Sequence, residues 1–201
     1  KKNKIKIMNE KLLKERVVVL HSILARTYKD YFNPNTNQGQ RGLFETVVGA
    51  TIWYLPGGGE LFSRRISVQA LRSLESNPKE TKLVEEHSFP RKVGGRFFYE
   101  KFRETDGKIT MQQLQDFYVN KLGKFNLVLK SENDALKKYQ KIENMNLGEH
   151  SFLEFCETNL EAHTYSQAGI ELVDFPLEKY KEFKRYKSRL KNGFSDSNFE
   201  I

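Results

Sequence analysis

The chain has 201 residues, 38% of them hydrophobic and 30% charged, and its 15 Phe and 9 Tyr supply bulky side chains for a core inside a large polar surface. A formal net charge of +8 favours a polyanionic partner, nucleic acid before an acidic membrane surface. The single cysteine, Cys156, excludes an internal disulfide and a zinc knuckle built on Cys pairs, and no apolar run approaches the ~18 residues of a membrane span, so a cytoplasmic protein with no membrane attachment is expected.

Behind a basic lead-in, Leu12, Leu13, Val17, Leu20, Leu24 and Tyr31 follow helical spacing, which predicts a helix from Asn9 to about Phe32, stopped by Asn33-Pro34. Residues 33–42 read as a loop. The stretch Leu43–Leu55 is ambiguous, with helical spacing favoured over its β-branched content. The glycine run at 57–59 lacks the GK[ST] of a phosphate loop and reads as a turn. Ser67 caps a helix from about 68 to 75. Lys82–His87 reads as a strand, and Val93–Arg103 is aromatic-rich and ambiguous. Thr110–Leu122 is a capped helix, and Phe125–Lys130 a strand. Ser131 then caps a helix from about Glu132 to Ile142, with Asp134 in the place of a capping-box acid. Ser151–Ala162 is a helix burying Cys156 as an inert thiol, and 165–174 reads as irregular. Pro176 opens a last, lysine-rich helix over 177–191, followed by a tail from Gly193 expected to be poorly ordered. His21, His150 and His163 are isolated and read as structural or exposed.

One pair of stretches carries chemistry. Glu86-His87 is followed by Pro90, Arg91, Lys92 and Gly94-Gly95, and further on Asn126-Leu127-Val128-Leu129 leads to Asn133. Phosphodiester hydrolysis needs a base near neutral pH, for which imidazole is suited, and a hard cation with oxygen ligands to stabilise the phosphate. Glu86 offers a carboxylate and Asn133 an amide carbonyl. In an extended strand Glu86 and His87 point to opposite faces, so both serve one site only if the backbone bends there.

This pattern resembles the HNH (ββα-metal) endonucleases, which carry an acid–His pair and a proline, an Asn-Leu-x-Leu strand, and a His or Asn on the following helix. The resemblance spans about residues 82–142. It implies His87 as general base, Asn126 as the residue that holds the loop orienting it through hydrogen bonds to backbone, and Glu86 and Asn133 as ligands to a divalent metal, Mg²⁺ with Mn²⁺ as the alternative. It implies no structural zinc, since no Cys pairs flank the motif. The spacing between the two halves is longer than usual and that from Asn126 to Asn133 slightly shorter, so Asp134 or Lys137 could take the place given to Asn133. Arg91, Lys92, Arg96, Lys137, Lys138 and Lys141 are expected phosphate contacts.

The expected fold is α+β: a ββα-metal core over 81–143 with a helical insertion, a helical region over 1–80 that binds DNA or dimerises, and a basic helical region over 144–201. The expected activity is metal-dependent cleavage of DNA, double-stranded, by a type II-like restriction or defence enzyme, where a homodimer would suit a palindromic target. A toxin, repair or RNA-cleaving nuclease of the same kind remains open, as does a basic nucleic-acid-binding module without catalysis.

Overall fold

The computed structural model describes residues 8–192, apart from the side chain of Asn144. The basic lead-in up to Ile7 and the tail from Gly193 lie outside the described residues. The architecture is α+β, with helices packed around a four-stranded mixed sheet.

Helix α1 (Glu10–Tyr31) starts where Asn9 accepts a hydrogen bond from the Leu12 amide, and it buries Leu13, Val17, Leu20, Leu24 and Tyr31 as its spacing requires. Helix α2 (Gln38–Trp53) settles the ambiguous stretch as helix and begins five residues before Leu43. The reason is a capping box inside the expected loop: Asn37 accepts from the Gln40 amide while the Gln40 side chain accepts from the Asn37 amide. Strand β1 (Phe62–Ser67) runs into helix α3 (Val68–Ser76), which Ser67 caps. Strand β2 (Leu83–His87) follows, and Pro90 opens helix α4 (Arg91–Glu104). The aromatic-rich ambiguity is thus resolved as the most buried helix of the molecule, with Phe97, Phe98, Tyr99 and Phe102 fully enclosed.

Helix α5 (Met111–Phe117) is capped by Thr110, and its last turn widens into a π-turn over Tyr118–Leu122. There the Tyr118 hydroxyl donates to the carbonyls of Leu55 and Pro56. Strand β3 (Phe125–Leu129) leads into helix α6 (Lys130–Tyr139). Glu132 caps α6 by accepting from the Leu129 amide at 2.8 Å and from Ser67. The expectation that Ser131 caps this helix is corrected, because Ser131 lies inside its first turn, and Asp134 pairs with Lys130 and Lys137 instead of capping.

The helix expected over 151–162 is broken at Asn159 into α7 (Phe152–Thr158) and α8 (Leu160–Gln167). The stretch read as irregular completes α8 and then forms a three-residue strand, β4 (Leu172–Asp174). Helix α9 (Leu177–Lys191) matches its expected span and buries Tyr180, Phe183 and Tyr186.

The strand order is β2-β3-β1-β4. β2 and β3 pair antiparallel, with Glu86 opposite Asn126 and His87 opposite Phe125. β3 and β1 are parallel, and β1 and β4 antiparallel. The order strand–strand–helix expected from the sequence is therefore present as β2, β3 and α6, set inside a larger sheet whose other strands come from either side of it. One sheet face packs Val128 against Leu136 of α6 and Tyr165 of α8. The opposite face packs Phe62 and Phe125 against Tyr180 of α9. The main core continues from there through α4 to α1 and α2, where the rings of Tyr31 and Tyr99 stack at 4.2 Å. No described helix is long and apolar enough to cross a membrane.

Candidate active site

β2 is an edge strand, so its outer side is open to the space between α6 and the ends of α2 and α4. That space is a cleft of about 580 Å³, whose lining includes Trp53, Glu86, His87, Arg91, Asn133 and Lys137. Five of the ten residues singled out in the sequence thus share one cleft, although they come from stretches some 40 residues apart.

His87 ends β2 with its ring facing Trp53, at 5.3 Å between centroids, and Phe125, at 6.1 Å. The Arg91 guanidinium lies over the Trp53 ring at 3.5 Å. Burial holds the His87 pKa below its ordinary 6.5; hydrogen bonds to the backbone of Lys124 and Gly123 and the nearby Glu85 charge oppose that shift without cancelling it. The ring is therefore neutral at neutral pH, with one edge tied to the backbone that leads into β3. Glu85, on the same strand face, is held by Tyr180 at 2.8 Å and Lys184 at 2.6 Å. Burial pushes its carboxyl up, but these two donors outweigh it and leave the pKa below the usual range.

Glu86 points the other way, because β2 stays extended through His87 and successive side chains alternate; the bend expected to bring both side chains to one side is absent, and Glu86 meets the cleft only as part of its lining. It is 4% exposed, and its two carboxylate oxygens accept from Gln140, at 2.6 Å, and from the Tyr165 hydroxyl. Burial raises its pKa, and the two donors only partly offset this.

Asn126, opposite Glu86, is fully buried. Its amide donates to Glu161 at 2.8 Å and to the Tyr165 hydroxyl at 3.0 Å, and its carbonyl accepts from Ser63. Glu161 is also paired with Arg65 and hydrogen-bonded by Ser88; despite burial, these donors keep its carboxyl ionised below the ordinary range. The backbone contacts that orient His87 thus come from Gly123 and Lys124, while Asn126 grips side chains and fixes β3 two residues further on. Replacing Asn126 by Ala would leave the Ser63 hydroxyl without its acceptor and take one donor each from Glu161 and the Tyr165 hydroxyl, which keep Arg65, Ser88 and Glu86. The expected loss is at least about 2 kcal/mol, read as a lower urea midpoint. An unchanged midpoint would contradict this account of the network.

The remaining expected phosphate contacts do not reach this cleft. Lys92 lies 3.8 Å from the Glu45 carboxylate, and Arg96 packs over the Phe152 ring at 4.2 Å; both line a separate cavity of about 620 Å³. Lys138 sits over its neighbour Tyr139, and Lys141 is exposed beyond the end of α6. His21 bonds to the Ile109 carbonyl, His150 to Glu154, and His163 packs on Phe155. Burial pushes the Cys156 thiol up to about 12, leaving it unreactive.

Sequence reasoning missed Trp53, Gln140, Tyr165, Glu161, Ser63 and Arg65. Only Trp53 carried a signal, as the one tryptophan of the chain at the end of an apolar run. Tyr165 and Glu161 lie on a helix whose break at Asn159 no residue pattern announced.

The donors present can be tested against a hard cation. Glu86 and Asn133 line one cleft and offer oxygen only, the donor type that Mg²⁺ takes while keeping several waters. A cation there would share the Glu86 oxygens with Gln140 and Tyr165. Among the described residues there is no group of three or more His, Cys, Asp and Glu side chains arranged to hold a metal ion. No protein-family model matches the chain, and neither a curated protein nor a solved structure does.

Proposed function

We propose that the protein is a divalent-metal-dependent endonuclease of the HNH type, cutting duplex DNA at the His87 cleft, in a restriction or defence setting. One observation carries this reading: a neutral histidine anchored to backbone shares an open cleft with a guanidinium, a lysine, a carboxylate and an amide drawn from separate stretches. His87 takes a proton from the attacking water on the ring nitrogen that the backbone does not hold. Arg91 and Lys137 receive the phosphate oxygens, Arg91 with its plane set by Trp53. Asn126 is a positioning residue, acting through the strand that holds Gly123 and Lys124 against His87. Glu86 and Asn133 would hold the cation, Mg²⁺ before Mn²⁺, which supplies charge stabilisation for the phosphate and the leaving oxygen when bound.

The sign of the His87 shift gives a test. Only the neutral ring accepts a proton, so the cleavage rate at saturating Mg²⁺ should hold down to pH 6.5 and fall as the pH drops further. The fold should weaken in the same direction, since between the depressed value and 6.5 the unfolded chain binds a proton that the folded chain does not. A pH–rate profile for plasmid nicking measures this, and an acidic limb centred above 6.5 would count against His87 as the base.

A second reading has one observation in its favour. Both Glu86 oxygens are engaged as a structural carboxylate's would be, which suits a cleft that binds nucleic acid without cutting it. A chelator separates the two, since binding alone is indifferent to it and responds to salt.

A further inference from the structure

The segment after His87 has cavities on both sides. Phe89 lines the His87 cleft and also a second cleft of about 490 Å³ on the β1 side, whose wall includes Ser88. We propose that this second cleft is a phosphate site, taking the phosphodiester that flanks the one at His87; it rests on the nuclease reading and names the part of the substrate that reading leaves unplaced.

Two observations carry it. The first is backbone geometry. β1 pairs with β3 through Phe62–Phe125 and Ile66–Leu127, so four steps along β1 match two along β3 and the intervening residues bulge. Within the bulge Arg64 stands at φ 64°, a left-handed conformation that an arginine adopts only where its surroundings impose it. The bulge aims Ser63 at Asn126 and Arg65 at Glu161, and sets Arg64, exposed, in the wall of the cleft.

The second is charge. The cleft is lined by Arg64, Arg65, Lys121 and Lys124. Its three carboxylates are already engaged: Glu161 by Arg65, Glu157 by Lys101 at 2.7 Å, and Glu60 by the Met8 amide. Among the described residues Lys121 and Lys124 donate to carbonyl oxygens, those of Glu157 at 2.6 Å and Glu60 at 3.2 Å, and Arg64 has no carboxylate within ion-pair distance. Four cations thus face three carboxylates across this space, an excess of one positive charge, and Arg64 is left without a carboxylate partner among the described residues. Burial depresses the Lys121 pKa against the pull of Glu157 and Glu161, and an entering phosphate would favour its charged form. The cleft suits a phosphate held by separate point charges better than a base read by shape.

The test uses the full chain with Arg64→Gln and Lys124→Gln combined, and a control with Lys14→Gln and Arg26→Gln, two exposed cations of α1. Binding of a short fluorescent duplex is measured by anisotropy over a salt series, with thermal melts to establish folding. The expected result is several-fold weaker binding by the cleft variant alone, with the slope of log affinity against log salt reduced by about 1 for each lost contact. Equal affinity and slope in the cleft variant, or equal losses in the control, would overturn the cleft as a phosphate site. The outcomes separate from the nuclease reading, because cleavage lost in His87→Ala with an unaffected cleft variant rejects this inference alone, whereas no binding by any form rejects both.

Discussion

His87→Ala should slow cleavage by about 10²- to 10⁴-fold, the contribution of a positioned general base, and leave the dissociation constant for DNA unchanged within a factor of about 2. The separation follows from the site. The imidazole faces Trp53 and Phe125 and is tied to the backbone at Gly123 and Lys124, while the phosphate contacts come from Arg91 and Lys137. Truncating the ring removes the proton acceptor and leaves those cations in place. Single-turnover cleavage and equilibrium binding with the same duplex measure the two quantities. A variant that lost affinity and rate together would make His87 a binding residue, and one that kept its rate would move the chemistry elsewhere.

Gly95→Ala should destabilise the fold by about 3 kcal/mol, near the upper end for overpacking, and lower the melting temperature by roughly 6–12 °C for a chain of this size. A Cβ on Gly95 would stand 2.1 Å from the Glu45 carbonyl oxygen, and one on Gly49 would stand 2.3 Å from the Arg91 carbonyl oxygen. The two glycines are reciprocal: α4 meets the backbone of α2 at one, and α2 meets the backbone of α4 at the other. Backbone cannot swing aside as a side chain can, so the helices must part. Trp53 at the end of α2 and Arg91 at the start of α4 both line the His87 cleft, so the same variant should lose activity beyond its loss of stability. Gly57→Ala is the control, since nothing lies within 4 Å of its added methyl. Equal melting temperatures for Gly95→Ala and the parent would refute the close helix contact.

That contact also marks where the sequence stops being informative. Gly94-Gly95 was legible as part of a motif beside His87, but a glycine pair in a sequence does not say whether it makes a turn or admits a neighbouring backbone. Here it lies mid-helix, where its conformational cost is offset by packing. Periodic apolar residues were enough for α1 and α9, because a long amphipathic face dictates its own pattern. The ambiguous stretches became α2 and α4, both decided by tertiary packing around Tyr31, Tyr99 and the Phe97–Phe98 pair. β4 went unread because three residues on a sheet edge carry no period. Within the site, the adjacency of Glu86 and His87 was visible, and so was the rule that sends them to opposite faces. What Glu86 meets there was not: Gln140, Tyr165 and, through Asn126, Glu161 belong to helices far along the chain, and no local pattern ties a buried carboxylate to such partners.

The most direct measurement is digestion of supercoiled plasmid by the purified protein in Mg²⁺, in chelator, and with His87→Ala in Mg²⁺. The account predicts nicked or linear products in the first reaction and intact plasmid in the other two. Intact plasmid in all three, or cleavage that survives both the chelator and the substitution, would contradict the assignment of the His87 cleft as a metal-dependent DNA-cutting centre.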